Sequence, residues 1–235
     1  DNNETQSAML KKLELSKPNH LKLISYCKKK KIKFLSTAFD IENLKFLIKN
    51  KIDFIKIPSG EITNFPLLEY IKKSNKKILL STGASTLSEV KTALKILNKK
   101  KKEITVLQCN SAYPTPIKHL NLNTLTTFRK KFNCEVGLSD HSLSVVAAAA
   151  AVSLGATIIE KHFTLSRDMI GPDHKSSLEP SELKRMIKNI REIESALGSF
   201  NKNITKSERE NRRIIRKSLV ANNFIKKGQK FTSKN

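Results

Sequence analysis

The sequence predicts a parallel α/β fold of barrel type, on three observations. Short β-branched runs alternate with longer helix-like stretches, each run ends in polar or ionisable residues, and no Gly-x-Gly-x-x-Gly follows any of them. Strict alternation requires parallel strands joined by right-handed crossovers, which leaves a closed barrel or an open doubly wound sheet. The missing glycine fingerprint counts against a dinucleotide-binding sheet. A (β/α)8 barrel usually needs about 250 residues and eight strands. This chain has 235 residues, and six strands are legible in it.

In order, residues 5–31 read as helix only, with Pro18 as an interruption. Strands are expected at 33–36, 53–57, 77–80, 103–108, 135–138 and 157–160. Helices are expected at 41–49, 65–73, 86–98, 121–132, 144–154 and 178–197. Thr86-x-x-Glu89 is a capping box, in which both side chains satisfy free backbone N–H groups. Gly155 stands where the Ala-rich helix needs a C-terminal cap, and Pro180 falls near the first turn of the last long helix. After Leu197 the composition turns polar, and 218–232 reads as a short β-like piece opening a second module. The expected organisation is a partial barrel at 1–200, a linker at 201–217 and the start of a small domain at 218–235.

A formal charge of +24 admits a polyanionic partner. The excess nevertheless lies in lysine runs (Lys28–Lys31 and Lys99–Lys102) with no interleaved aromatic residues to stack on bases. Nucleic acid is therefore disfavoured, and a solvated basic surface is expected. Three widely spaced cysteines (Cys27, Cys109, Cys134) form neither a disulfide framework nor a metal knuckle, which points to a reducing cytoplasm. No membrane association is expected, because the longest apolar run, 145–159, is interrupted by Ser153 and Gly155 and too short to span a bilayer.

The chemistry gathers at the strand ends: Ser36-Thr37, Pro58-Ser59-Gly60-Glu61, Ser81-Thr82-Gly83, Cys109-Asn110-Ser111-Ala112-Tyr113, Ser139-Asp140-His141 and Lys161-His162. In a parallel barrel these ends open onto one face and share a pocket. Lys56 lies inside the apolar run Phe54–Ile57, as an edge-strand charge, a phosphate partner or a Schiff-base lysine. Thr37, Ser59, Ser81 and Ser139, with backbone N–H groups near Gly60 and Gly83, suit the oxygens of a small dianion. His141 and His162 end neighbouring strands, where two imidazoles can share a divalent metal or simply hydrogen-bond. Glu160 and Lys161 read as an ordinary polar strand end.

Lys56-Ile57-Pro58-Ser59-Gly60-Glu61-Ile62-Thr63-Asn64, Leu80-Ser81-Thr82-Gly83, Tyr113-Pro114, Gly137-Leu138-Ser139-Asp140-His141, Glu160-Lys161-His162-Phe163-Thr164 and Gly171-Pro172-Asp173-His174-Lys175 resemble the sialic acid synthase family. That family includes the N-acetylneuraminate, legionaminate and related nonulosonate synthases. The resemblance implies a phosphoenolpyruvate-condensing (β/α)8 barrel followed by a small antifreeze-like (SAF) β-clip domain, and a domain-swapped homodimer. It assigns Thr37, Lys56, Ser59, Ser81, Ser111 and Ser139 to phosphoenolpyruvate, and Glu61, Tyr113 and Asp173 to the amino sugar. It further implies that Glu61, Asp173 and Lys56 carry the catalysis and that His141 and His162 hold Mn²⁺ or Mg²⁺. The implied reaction joins phosphoenolpyruvate to an N-acetylmannosamine-type aldehyde and releases phosphate. A diacetamido-trideoxy (legionaminate-type) acceptor, a Schiff-base aldolase, an RNA-binding remnant and an inactive fragment remain as alternatives. The family's first two strands, ending in Glu-Ile-Gly-x-Asn-His-like and Lys-x-Gln-like motifs, are missing ahead of the strands legible here. The expectation is thus a barrel lacking about its first two strands, with 218–235 starting the antifreeze-like domain, and a product that is poorly soluble or inactive.

Overall fold

A computed structural model describes residues 6–235 of the chain. It divides into two compact units, one ending at Leu197 and the other spanning Gly198–Asn235. Thr5, the first residue of the expected opening helix, lies outside the described residues.

The first unit opens with α1 (Gln6–Leu13), α2 (Lys17–Lys29) and α3 (Ile41–Lys49). Five parallel strands follow: β1 (Phe54–Ile57), β2 (Lys77–Ser81), β3 (Ile104–Cys109), β4 (Glu135–Asp140) and β5 (Ala156–Lys161). Between them run α4 (Phe65–Lys72), α5 (Leu87–Leu97), α6 (Thr124–Phe132) and α7 (Ala147–Ser153), and α8 (Pro180–Leu197) closes the unit. The strands are ordered β1-β2-β3-β4-β5 with no reversal. A doubly wound sheet reverses its order at a switch point, so this single winding is that of a barrel wall. The described residues form a parallel α/β half-barrel.

One expected strand is corrected. Residues 33–36 form no ladder; a single parallel bridge joins Thr37 to Lys56. Lys33, Leu35 and Phe39 are exposed there, so little apolar burial holds this stretch on the β1 edge. The opening helix is also corrected, because Pro18 starts a helix instead of interrupting one. Ser16 caps α2 through the Asn19 N–H at 3.4 Å, and proline is tolerated in a first turn that has no carbonyl partner for its nitrogen.

Three further helices, α3, α4 and α5, start where short polar side chains satisfy free N–H groups. Asp40 Oδ1 accepts from Asn43 N–H at 2.7 Å ahead of α3, and Asn64 Oδ1 from Leu67 N–H at 3.2 Å ahead of α4. The Thr86–Glu89 capping box is closed from both sides, at 3.3 and 2.7 Å. Gly155 follows α7 with φ +94°, a left-handed conformation that favours glycine as a helix stop. Within the second lysine run, Lys99 Nζ donates to the carbonyls of Lys72 (3.1 Å) and Ser74, covering the C-terminus of α4.

Strand alternation divides the sheet into two chemically distinct faces. Ile55, Ile57, Ile78, Leu80, Ile104, Val106, Val136 and Leu138 pack against the helices in one hydrophobic core. Lys56, Ser81, Cys109 and Ser139 belong to the opposite, inner face. Four alanines of α7 are buried, and their small side chains let this helix lie close against β4 and α8, where Ala148 meets Leu178 and Met186.

The second unit contains α9 (Glu208–Ile215), whose first turn is tied by Glu208 accepting from Thr205 N–H at 2.9 Å. The β-like piece expected at 218–232 is a correction: it is irregular, with a bend at 222–223 and a turn at Lys227-Gly228, and contains no strand. A segment of this length, with no neighbouring strand in its unit, has no ladder in which to place its N–H and C=O groups.

Candidate active site at the strand C-terminal ends

Lys56 comes first, because it joins the two edges of the sheet. It is 8% exposed on β1, and its Nζ lies 3.4 Å from Oε1 of Glu160 on β5. Strands at opposite edges make this contact only if the sheet curls inward, so the inner face is a trough with Lys56 and Glu160 facing each other across it.

From Glu160 the contacts run on along β4 and β5. Ser139 Oγ donates to Glu160 Oε1 at 2.6 Å and stands 3.4 Å from His141 Nε2. Ser139 and His141, like Glu160 and His162, are two apart on extended backbone, so each pair shares the inner face. The His141 and His162 rings lie edge to face, with centroids 5.2 Å apart. Tyr113 stacks on His141 at 4.2 Å and meets His162 at 5.4 Å. Burial pushes the Tyr113 hydroxyl above its ordinary pKa, with Cys109, Asp173 and Glu160 adding to the rise. Burial also pushes the His141 imidazole down, against the upward pull of its hydrogen bond to the Asn110 carbonyl.

A second group of polar atoms sits at the ends of β2 and β3. Ser59 Oγ accepts from Gly83 N–H at 2.8 Å and approaches Cys109 Sγ at 3.6 Å. A Cβ placed on Gly83 would meet Ser111 Oγ, Ser59 Oγ at 2.8 Å and Cys109 Sγ at 3.2 Å, so this glycine lets three side chains converge on its backbone. Thr82 Oγ1 is committed elsewhere, donating to the Leu107 carbonyl at 2.9 Å. Ser81 Oγ is buried with no hydrogen-bond partner among the described residues. Since buried polar groups are nearly always paired, this hydroxyl reads as one held for a ligand.

The structure thus gathers Lys56, Ser139, Tyr113, His141 and His162 in one connected series, and Ser59 with Ser111 around Gly83. Thr37 stands beside Lys56 by its bridge and lines a groove with Ser36, Phe39 and Asp40. Two expected residues are less integrated. Glu61 follows β1 in a single 3-10 turn and accepts from Asn64 Nδ2 at 2.6 Å, a local bond within that turn. Asp173 is exposed and reaches the rest only through its electrostatic influence on Tyr113. Glu160, read from the sequence as an ordinary polar strand end, is instead the hub between Lys56 and Ser139. The signal that finds it is the spacing Glu160-x-His162, which puts both side chains on the same face.

The two imidazoles fit a divalent ion in one specific respect. His141 Nδ1 is 2.6 Å from the Asn110 carbonyl, which fixes the proton on Nδ1 and leaves the Nε2 lone pair free. A metal-binding histidine commonly donates its other ring N–H to a backbone carbonyl in this way. Among the described residues no cluster of three or more His, Cys, Asp or Glu side chains is arranged to hold an ion.

A trough at the C-terminal ends of parallel barrel strands, with a buried lysine, convergent hydroxyls and paired imidazoles, is the kind of site that enzymes of the (β/α) barrel class carry. The chain belongs to the NeuB family, which it matches over residues 1–202. It is 48% identical to an N,N'-diacetyllegionaminic acid synthase of Campylobacter jejuni over all of this chain and 71% of that protein. It is 37% identical to an N,N'-diacetyllegionaminic acid synthase of Legionella pneumophila, over 95% of this chain and 64% of that protein. Among solved structures, the N-acetylneuraminic acid synthetase of Leptospira borgpetersenii in complex with citrate superposes with a TM-score of 0.83. That match has 35% identity and covers 90% of this chain and 75% of the other. The chain therefore spans about two thirds to three quarters of the proteins it resembles.

Proposed function

We propose that the site condenses phosphoenolpyruvate with the open-chain aldehyde of an N-acetylated amino sugar, forming a nine-carbon sialic-acid-type sugar and releasing phosphate. The observation that carries this reading is the unbroken series Lys56–Glu160–Ser139–His141–Tyr113/His162 on one inner face of a NeuB-family half-barrel. Lys56 supplies a cation for the phosphate or carboxylate of phosphoenolpyruvate. Ser81, Ser59, Ser139, Ser111 and Thr37 supply hydroxyl donors around it, and Gly83 N–H adds a backbone donor that Ser59 now occupies.

His141 and His162 would hold Mn²⁺ or Mg²⁺, and the bound ion supplies Lewis-acid polarisation of the aldehyde oxygen. In the reaction, C3 of phosphoenolpyruvate forms a bond to the aldehyde carbon, water adds at C2, and the phosphate leaves by C–O cleavage from the resulting tetrahedral centre. Positioning of the two reactants in the trough lowers the entropic part of the barrier. Glu160 lies close enough to Lys56 to compete with an incoming anion, so substrate binding must loosen that ion pair. Glu61 and Asp173 remain candidates to direct the water or a proton to the sugar, on the strength of the family motif.

The identity to two N,N'-diacetyllegionaminic acid synthases favours a diacetamido-trideoxy acceptor over N-acetylmannosamine. A homodimer, cytoplasmic location and an antifreeze-like role for residues 218–235 belong to the same proposal. Among the described residues no helix is long and apolar enough to cross a membrane. The test is phosphate release from phosphoenolpyruvate with Mn²⁺ and each acceptor, the product being identified by mass spectrometry. Phosphate release that needs the acceptor supports the reading. Trapping of the carbonyl substrate on Lys56 by borohydride, with activity surviving a chelator, would replace it with a Schiff-base aldolase.

A further inference from the structure

Behind the two imidazoles lies an ion pair that the chemistry above does not use. Asp140 and Lys161 are register partners at the ends of β4 and β5, each immediately preceding one of the two histidines. Their side chains are 0% and 4% exposed, with Lys161 Nζ 2.6 Å from Asp140 Oδ2. Alternation turns both away from the trough, onto the helix-facing side that Leu138 and Ile159 also occupy. Lys161 Nζ further donates to the Ser142 carbonyl and to the Ser144 carbonyl at 3.4 Å, and Asp140 Oδ1 accepts from Ser142 N–H at 2.8 Å. The backbone is thus tied down on both sides of His141, and the tie is made by the residue that precedes His162.

A buried ion pair of this kind is poor evidence for stability, because desolvation of two charges consumes most of their attraction. Its geometric effect is better defined. Without it, the end of β4 and its loop would meet β5 through the strand ladder, which ends at this pair, and the His141–His162 ring contact.

We propose that Asp140 and Lys161 are positioning residues that set the spacing of His141 and His162 for a shared divalent ion. This rests on the reading of those histidines as ion ligands, and the experiment separates the two claims. Mn²⁺ binding to the full 235-residue chain is measured by the electron paramagnetic resonance of free Mn²⁺, beside thermal unfolding. Wild-type chain that binds no Mn²⁺, or His141→Ala/His162→Ala that binds like wild type, removes the ion reading and the proposal with it. With that control passed, Asp140→Asn/Lys161→Met removes both charges while keeping side-chain length and the acceptor for Ser142 N–H. The double variant is expected to unfold near the wild-type temperature but to bind Mn²⁺ roughly tenfold more weakly, the lower end of the loss seen for direct outer partners, because this pair acts on the imidazoles only through the backbone. Lys161→Arg, which keeps charge and donors, is expected to recover most of that affinity. A double variant that binds Mn²⁺ within twofold of wild type, or one that fails to fold, overturns the positioning role.

Discussion

Glu160 Oε1 is shared between Ser139 Oγ at 2.6 Å and Lys56 Nζ at 3.4 Å, so one carboxylate oxygen joins neighbouring β4 and the far edge strand β1. The charge on Lys56 is therefore poised between an internal partner and an external anion. Lys56→Met is expected to lower kcat/KM by roughly 10²-fold or more, as loss of one preorganised cation at a transferring group does. Glu160→Gln keeps the shape and removes the competitor, so binding of phosphoenolpyruvate should tighten or stay level while turnover falls. Isothermal titration beside steady-state phosphate release checks both, and parallel loss of binding in the two variants would contradict this arrangement.

Gly83 makes a different prediction, from space instead of charge. A methyl there must displace Ser59 Oγ and Ser111 Oγ, both of which end flexible side chains. Gly83→Ala should cost about 1–3 kcal/mol of stability, in the range of overpacking. It should also weaken phosphoenolpyruvate binding at least tenfold by misaiming the hydroxyls. Thermal unfolding and titration calorimetry report these separately, and unchanged binding would place the anion elsewhere.

Much of this was legible before any coordinates. The helix at 41–49 has its expected bounds because apolar residues at helical spacing follow a strong Asp40 cap. The same is true of the Thr86 capping box and the Gly155 stop, all local effects of neighbouring residues. The strand expected at 33–36 does not form, because pairing depends on a partner's edge and on burial, neither of which local sequence encodes. The Lys56–Glu160 and Asp140–Lys161 pairs were out of reach for a related reason. Each joins residues far apart in sequence, and sheet curvature and strand register decide which charges meet. Family motifs named the individual histidines and serines, but only the register shows that Asp140 and Lys161 are opposite each other.

Acid should loosen the helix starts before it affects the core. Asp40 and Glu89 sit below the ordinary carboxylate range because they accept backbone N–H bonds, from Asn43 and Thr86 respectively. Glu182 is lowered chiefly by its hydrogen bond with Arg167. Each is depressed in the folded state, so its stabilising contribution is present above the unfolded pKa and is lost as pH falls through the folded one. These carboxylates should thus steepen the loss of stability below about pH 4.5, near their ordinary values, on top of the fall below about 6.5 that the depressed His141 imidazole brings as it is forced to charge. Denaturant unfolding across that range checks it, with Glu89→Gln flattening part of the slope. A slope below pH 4.5 that Glu89→Gln leaves unchanged would point to other groups.

Ser81 gives the most direct test of what the trough holds. Its hydroxyl is 1% exposed at the end of β2 and has no partner among the described residues, an arrangement that burdens the unliganded fold. Leaving a buried hydroxyl unpaired costs about 1–3 kcal/mol, so Ser81→Ala should leave stability unchanged or raise it slightly. A hydroxyl that instead donates to a phosphate oxygen contributes about 1.5–3 kcal/mol to binding, the range for hydrogen bonds to charged groups. The same substitution should then weaken phosphoenolpyruvate, or inorganic phosphate used as a probe, by about tenfold to a hundredfold. Thermal unfolding with and without phosphate separates the two effects: wild type should gain more from the ligand than Ser81→Ala does, although the variant starts at least as stable. Equal stabilisation of both by phosphate would mean that Ser81 does not face the anion.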